Sequence, residues 1–166
     1  MSTPVIPIGR EAVIATFGDL RHYADDKRAW ERQILVTRKF EPRNYLRYAY
    51  DTSATITRIR AHFLVADVLM KCLVDCQKAK VPLSKLKYGG CYVWRPIRGS
   101  TQLSLHSWGI AVDLEPAENP LGKEWVDDGV MLDPRIICIF KCNGWFWGGD
   151  FKTRPDAQHF QWARGT

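Results

Sequence analysis

At 166 residues, with 46% hydrophobic and 12% aromatic content, the chain is long enough to bury a core without disulfide or metal staples and too apolar for a disordered segment. Its net charge of +6 is uneven, because residues 1–100 hold 18 of the 24 Lys/Arg but only 9 of the 18 Asp/Glu. A basic face of this kind suits nucleic acid, an anionic membrane, an anionic polymer or plain solvation, but no apolar run approaches the roughly 20 residues that a spanning helix needs.

The opening MSTPVIPIGREA has no basic stretch leading into an apolar one, so the expectation is a protein that is not exported by the Sec route. Residues 1–50, with Pro4, Pro7 and Pro42 among scattered aromatics and arginines, read as an extended N-terminal segment laid on one domain of residues 1–166. From Thr57 to Ala79 the apolar residues Ile59, Phe63, Ala66, Met70 and Leu73 recur at three- and four-residue steps, predicting a helix with one buried face. His62 and Asp67 fall beside that stripe, where a lone histidine is usually structural. GGCYVWR (89–95) and the run from Trp108 to Leu114 predict strands. In the second, alternation sends Ile110, Val112 and Leu114 to one face and Gly109, Ala111 and Asp113 to the other. Asp133-Pro134 starts a helix over RIICIFKC that Asn143-Gly144 stops. WFWGGD (145–150) is a short aromatic strand broken by glycines, and after the polar loop KTRPDA a last strand lies at HFQW (159–162). These elements, without a βαβ rhythm, predict an α+β fold with a small antiparallel sheet packed by helices. Cys72/Cys76 and Cys138/Cys142 lie four apart in helix-like apolar runs, without a CxxC knuckle. They read, with Cys91, as reduced core thiols rather than a four-thiolate zinc site.

The small residues Gly109 and Ala111 leave room beside Asp113, and His106 just ahead of the strand can turn over that space. Two ligands of a catalytic zinc site are thereby supplied, and His159 is the best candidate for the third. In DAQH, Asp156 stands three residues before His159, where its carboxylate can exchange a proton with water without binding the metal. Arg95 or Arg98, in WRPIRGS, is placed to stabilise an oxyanion or hold a substrate carboxylate.

SLHSWGIAVD (104–113) fits the pattern SxHxxGxAxD and so resembles the first zinc motif of the D-alanyl-D-alanine carboxypeptidase family, which includes VanY-type carboxypeptidases, D-Ala-D-Ala dipeptidases and phage L-alanyl-D-glutamate endolysins. WRPIRGS is similar to that family's arginine-bearing strand, and WGGDF with DAQHFQ is similar to its endolysin-like closing segment, so the resemblance spans about residues 58–162. It implies a hedgehog/DD-peptidase-like fold, a Zn2+ ion on His106, Asp113 and His159, Asp156 as general base and Arg95 on the transition state. Ser104, Arg98 and Trp147 would contact substrate, and Asp150 would support the site. Asp156 stands where many carboxypeptidases of the family carry Glu, which points toward an endopeptidase. The expected function is a zinc-dependent peptidoglycan peptidase, a phage or prophage endolysin cutting the L-alanyl-D-glutamate bond. It would act as a monomer, without nucleic acid or membrane insertion, waiting in the host cytoplasm before reaching the wall. A D-Ala-D-Ala carboxypeptidase or dipeptidase, or a non-catalytic zinc-stabilised wall-binding or virion module, are the alternatives.

Overall fold

Two short amphipathic helices and a strand ribbon build the first third of the protein. The computed structural model describes residues 4–40 and 45–166, so Pro42 lies outside the described residues. Helix α1 (Arg10–Phe17) buries Val13 and Phe17, and α2 (Lys27–Ile34) buries Trp30 after starting at Asp26, whose carboxylate accepts from the Ala29 N–H at 3.0 Å. Strand β1 (Leu35–Lys39) follows directly. The segment read as extended is therefore folded into these elements and puts Val13, Phe17, Leu20, Trp30 and Leu46 into the hydrophobic core.

β1 pairs antiparallel with a strand inside the predicted helix, β4 (Arg58–His62), in register from Leu35↔His62 to Lys39↔Arg58. The reason is local: buried Ile59 and Ala61 alternate with exposed Arg58 and Arg60, a period of two that overrides the helical step. Helix α3 (Phe63–Lys78) starts only after it and buries Val65, Ala66, Leu69, Cys72, Leu73 and Cys76, while Phe63 stays 46% exposed. Asp67 lies on the outer side and pairs with Arg38 at 2.6 Å.

The main sheet has six strands in the order β3-β2-β5-β6-β8-β7, made of β2 (Leu46–Tyr48), β3 (Asp51–Ile56), β5 (Lys87–Gly90), β6 (Ala111–Leu114), β7 (Phe146–Trp147) and β8 (His159–Gln161). Every neighbouring pair is antiparallel except β2 with β5, so the α+β class is as expected and the sheet is mixed. The strand expected at 89–95 ends at Gly90, where the register slips against β6 and the chain leaves the sheet. Trp108 belongs not to β6 but to a 3-10 turn, Leu105–Trp108. Helix α4 (Pro134–Cys142) has the predicted bounds, with the Asp133 carboxylate accepting from the Arg135 N–H at 2.8 Å.

The thiols divide differently from the expectation. Cys72, Cys76 and Cys91 are buried, and burial pushes the Cys76 thiol up to about 12. Cys138 and Cys142 are exposed with their Sγ atoms 3.9 Å apart, because α4 turns Ile136, Ile137 and Phe140 inward instead. Among the described residues no helix is long and apolar enough to cross a membrane.

His62 joins the ribbon to α3. Its Nδ1 accepts from the Leu64 N–H at 3.2 Å, capping the helix, and its ring packs on Phe17, Phe63 and Trp30. Burial lowers its pKa to about 4, so the folded state holds it neutral where the unfolded chain, with a value near 6.5, takes up a proton. Its contribution is therefore fully present above pH ~6.5 and lost as pH falls toward ~4. In urea titrations the stability advantage of the wild type over His62→Asn, which keeps a capping acceptor, is expected to shrink by about 2–3 kcal/mol between pH 7 and 4.5.

Candidate active site

Two strands of the sheet and one turn bring the ligand-type side chains together. β6 and β8 pair so that Asp113 stands directly opposite His159, which places both side chains on one face. His106 arrives from the 3-10 turn, where its own backbone N–H donates to the buried Ser104 hydroxyl at 3.4 Å. Gly109 closes the turn in the left-handed region, φ 67°, and a Cβ there would lie 2.9 Å from the His62 backbone nitrogen and 2.9 Å from Leu35 Cδ2. The His62 N–H donates to the Gly109 carbonyl at 3.0 Å, so the turn is docked on the β4–α3 junction.

The resulting geometry is tight. His106 Nε2 lies 3.2 Å from Asp113 Oδ1 and 3.2 Å from His159 Nδ1, and the last two are 2.9 Å apart. Four ligands about 2.0–2.1 Å from a tetrahedral zinc ion stand about 3.3–3.4 Å from one another, so the three atoms already occupy one face of such a shell. His106 Nδ1 faces the Cys91 carbonyl at 2.8 Å; a carbonyl only accepts, so this nitrogen carries the proton and Nε2 offers its lone pair to the cluster. The His106, His159 and Asp113 side chains are 3%, 10% and 16% exposed, so the carboxylate is the most accessible of the three. The donor set thus fits a divalent cation of the zinc type: two imidazoles and one carboxylate. Burial pushes the Asp113 carboxyl up, but His106 and His159 more than offset it and hold the group well below the usual carboxylate range. For His159, burial works against the charged form and the Asp113 carboxylate outweighs it, raising the pKa.

Asp156 sits on the loop that leads into β8. Its Oδ1 is buried without a hydrogen-bond partner among the described residues, and burial raises its pKa, helped by the Asp113 charge against the opposing pull of His159. The loop is held by the Asp156 N–H donating to the Gly148 carbonyl at 2.9 Å and by Trp147 Nε1 donating to the Ala157 carbonyl at 2.8 Å. Trp147, expected to contact substrate, is 7% exposed and packs on Trp125, with Lys141 over its ring; it lies in the support of this loop. Asp150 receives Lys141 Nζ at 2.7 Å, which ties α4 to the same turn.

Arg95 and Arg98 are both exposed, on a loop whose ends are bridged by Pro96 and Leu103. The Arg95 guanidinium touches only the Pro96 carbonyl, at 3.4 Å, and has no carboxylate partner among the described residues. Its backbone is tied to the His106 turn by Ser107, whose Oγ accepts from the Arg95 N–H at 3.1 Å. Ser107 and Gln161 are the polar residues that the sequence reading missed. Gln161 Oε1 lies 3.1 Å from His159 Nε2, and the polar position two residues after His159 on a buried strand was the available signal.

The mixed sheet of this α+β fold carries a His-Asp-His cluster beside the half-buried Asp156 carboxyl, and together with the family match below this is the metal centre of a metallopeptidase. Residues 98–162 match the family model described as D-alanyl-D-alanine carboxypeptidase, and this segment carries all three cluster residues and Asp156. No curated protein matches the chain.

Gly148 gives the most direct handle on this geometry, because a Cβ there would stand 2.4 Å from the Asp156 carbonyl oxygen and 3.1 Å from His159 Cβ. Gly148→Ala is expected to displace the loop and lower the unfolding free energy by about 1–3 kcal/mol, measured by denaturant titration.

Proposed function

We propose that the protein is a zinc-dependent peptidase of peptidoglycan stem peptides that cuts the L-alanyl-D-glutamate bond and serves as a phage or prophage endolysin. The observation that carries the reading is the convergence of His106 Nε2, Asp113 Oδ1 and His159 Nδ1 beside the Asp156 carboxyl, whose Oδ1 has no hydrogen-bond partner among the described residues, within the segment that matches the D-alanyl-D-alanine carboxypeptidase family. A zinc ion held by His106, Asp113 and His159 supplies Lewis-acid chemistry, polarising a peptide carbonyl and acidifying water.

The remaining work falls to the protein's own side chains. Asp156, whose pKa burial raises, takes a proton from the attacking water at Oδ1 and returns it to the departing amine. Arg95, an exposed cation tied through Ser107 to the His106 turn, offsets charge on the substrate carbonyl oxygen or binds a substrate carboxylate in its planar fork. Arg98, farther out on the same loop, extends that basic rim. Ser104 acts from within, by capping the turn that carries His106.

Asp156 stands where many carboxypeptidases of the resembled family carry Glu and endolysin-like members often carry Asp, which favours the endopeptidase; its shorter side chain needs its loop drawn in close, and Gly148 permits that approach. The basic character of residues 1–100 supports attraction to the anionic envelope, an attraction that salt weakens.

Digestion of purified peptidoglycan followed by mass spectrometry is expected to show new L-alanine C-termini and D-glutamate N-termini, and a chelator is expected to abolish them. Release of free D-alanine with an intact L-Ala-D-Glu bond would establish the carboxypeptidase instead. Wall binding without cleavage by the zinc-loaded protein would establish a binding module. Asp156→Asn is expected to lower the turnover rate by about 10²–10⁴-fold with unchanged zinc content. Wild-type turnover in that variant removes Asp156 as the base.

A further inference from the structure

His159 poses a problem that the three cluster residues alone do not solve. Both of its ring nitrogens face acceptors: Nδ1 lies 2.9 Å from Asp113 Oδ1, and Nε2 lies 3.1 Å from Gln161 Oε1. A neutral imidazole has one proton to give and one lone pair to offer. If the proton sat on Nδ1, the lone pair would point away from His106 and Asp113 and the cluster would lose a ligand.

The Gln161 amide decides between the two. Its Nε2 donates to the Ala163 carbonyl at 3.0 Å and to Thr166 Oγ1 at 3.2 Å. A carbonyl oxygen cannot donate, so the amide cannot be turned round without leaving the Ala163 oxygen facing another oxygen. Its Oε1 is therefore held toward His159 and demands a donor there. The side chain is 4% exposed, so water does not substitute for that partner. The sheet makes the space: Gln161 stands opposite Ala111 in the β6–β8 pairing, and the small Ala111 side chain, fully buried, leaves the face free for the longer amide.

We propose that Gln161 is a positioning residue that fixes His159 in the tautomer with the proton on Nε2, so that Nδ1 is the nitrogen presented to the metal. This rests on the metal reading above. It also makes the two histidines complementary: His106 is held through Nδ1 by the Cys91 carbonyl and presents Nε2, while His159 is held through Nε2 and presents Nδ1.

The test uses the full chain labelled with ¹⁵N-histidine and read by NMR, together with zinc affinity measured by competition with a chromophoric chelator. In the zinc-loaded wild type, His159 is expected to carry its proton on Nε2. Gln161→Met, of similar length but without the acceptor, is expected to bind zinc about 10–100-fold more weakly and to lose the hydrogen-bonded Nε2 proton signal, while the His106 signals are unchanged. Gln161→Glu, which keeps an acceptor, is expected to restore the signal and bring affinity to within about tenfold of the wild type. Wild-type affinity and an unchanged His159 signal in Gln161→Met would overturn the proposal. Should that variant fail to fold, a wild-type His159 with its proton on Nδ1 would overturn it as well. A folded wild type that binds no zinc would overturn the metal reading itself, and a folded Gln161→Met that differs only in unfolding free energy would overturn the positioning role alone.

Discussion

Three electron-rich atoms from two strands and a turn are held 2.9–3.2 Å apart in a largely buried place, and much of the structure around them serves to keep them there. Such an arrangement is unfavourable unless positive charge stands among the atoms, because burial removes the water that would screen them. The Asp113 carboxylate accordingly raises the His159 pKa against the effect of burial. A divalent cation supplies that positive charge more completely. The contacts that are unfavourable among the three atoms alone become ligand bonds when a cation stands between them.

The supports can be followed outward from that point. The β6–β8 register sets Asp113 against His159 and, two residues on, Ala111 against Gln161. The His106 turn rests on His62 through Gly109, so the capping residue of α3 also fixes a cluster residue. Asp156 is drawn in by the Gly148 carbonyl and by Trp147, and Trp147 is in turn covered by Trp125 and Lys141. These contacts join residues far apart in the chain, so a site of only a few side chains depends on both α-helical and sheet elements being in place.

How much of this the sequence revealed depends on how local each signal was. His106 and Asp113 were legible because small residues precede Asp113 on its strand and the two share one contiguous motif, and His159 because it follows Asp156 in the separate DAQHFQ segment; the structure brings all three together. Helix α4 was legible because its stop and start signals are adjacent residues. The β4–α3 boundary was not, since Ile59 and Phe63 satisfy a helical step as well as a strand followed by a helix, and only pairing with β1 chooses between them. The fold of α1, α2 and β1 was hidden for a similar reason: their buried residues are few, and their partners lie far along the chain. Gln161 was missed because its role appears only once His159, Ala163 and Thr166 are seen around it.

The central claim is that His106, Asp113 and His159 form one zinc site. It is tested most directly by anomalous diffraction from crystals of the protein grown with zinc, with data collected on both sides of the zinc absorption edge. A single strong peak at the point where His106 Nε2, Asp113 Oδ1 and His159 Nδ1 converge is the predicted result. Absence of a peak there, with zinc found instead on the exposed Cys138 and Cys142 thiols or nowhere in the crystal, would contradict it.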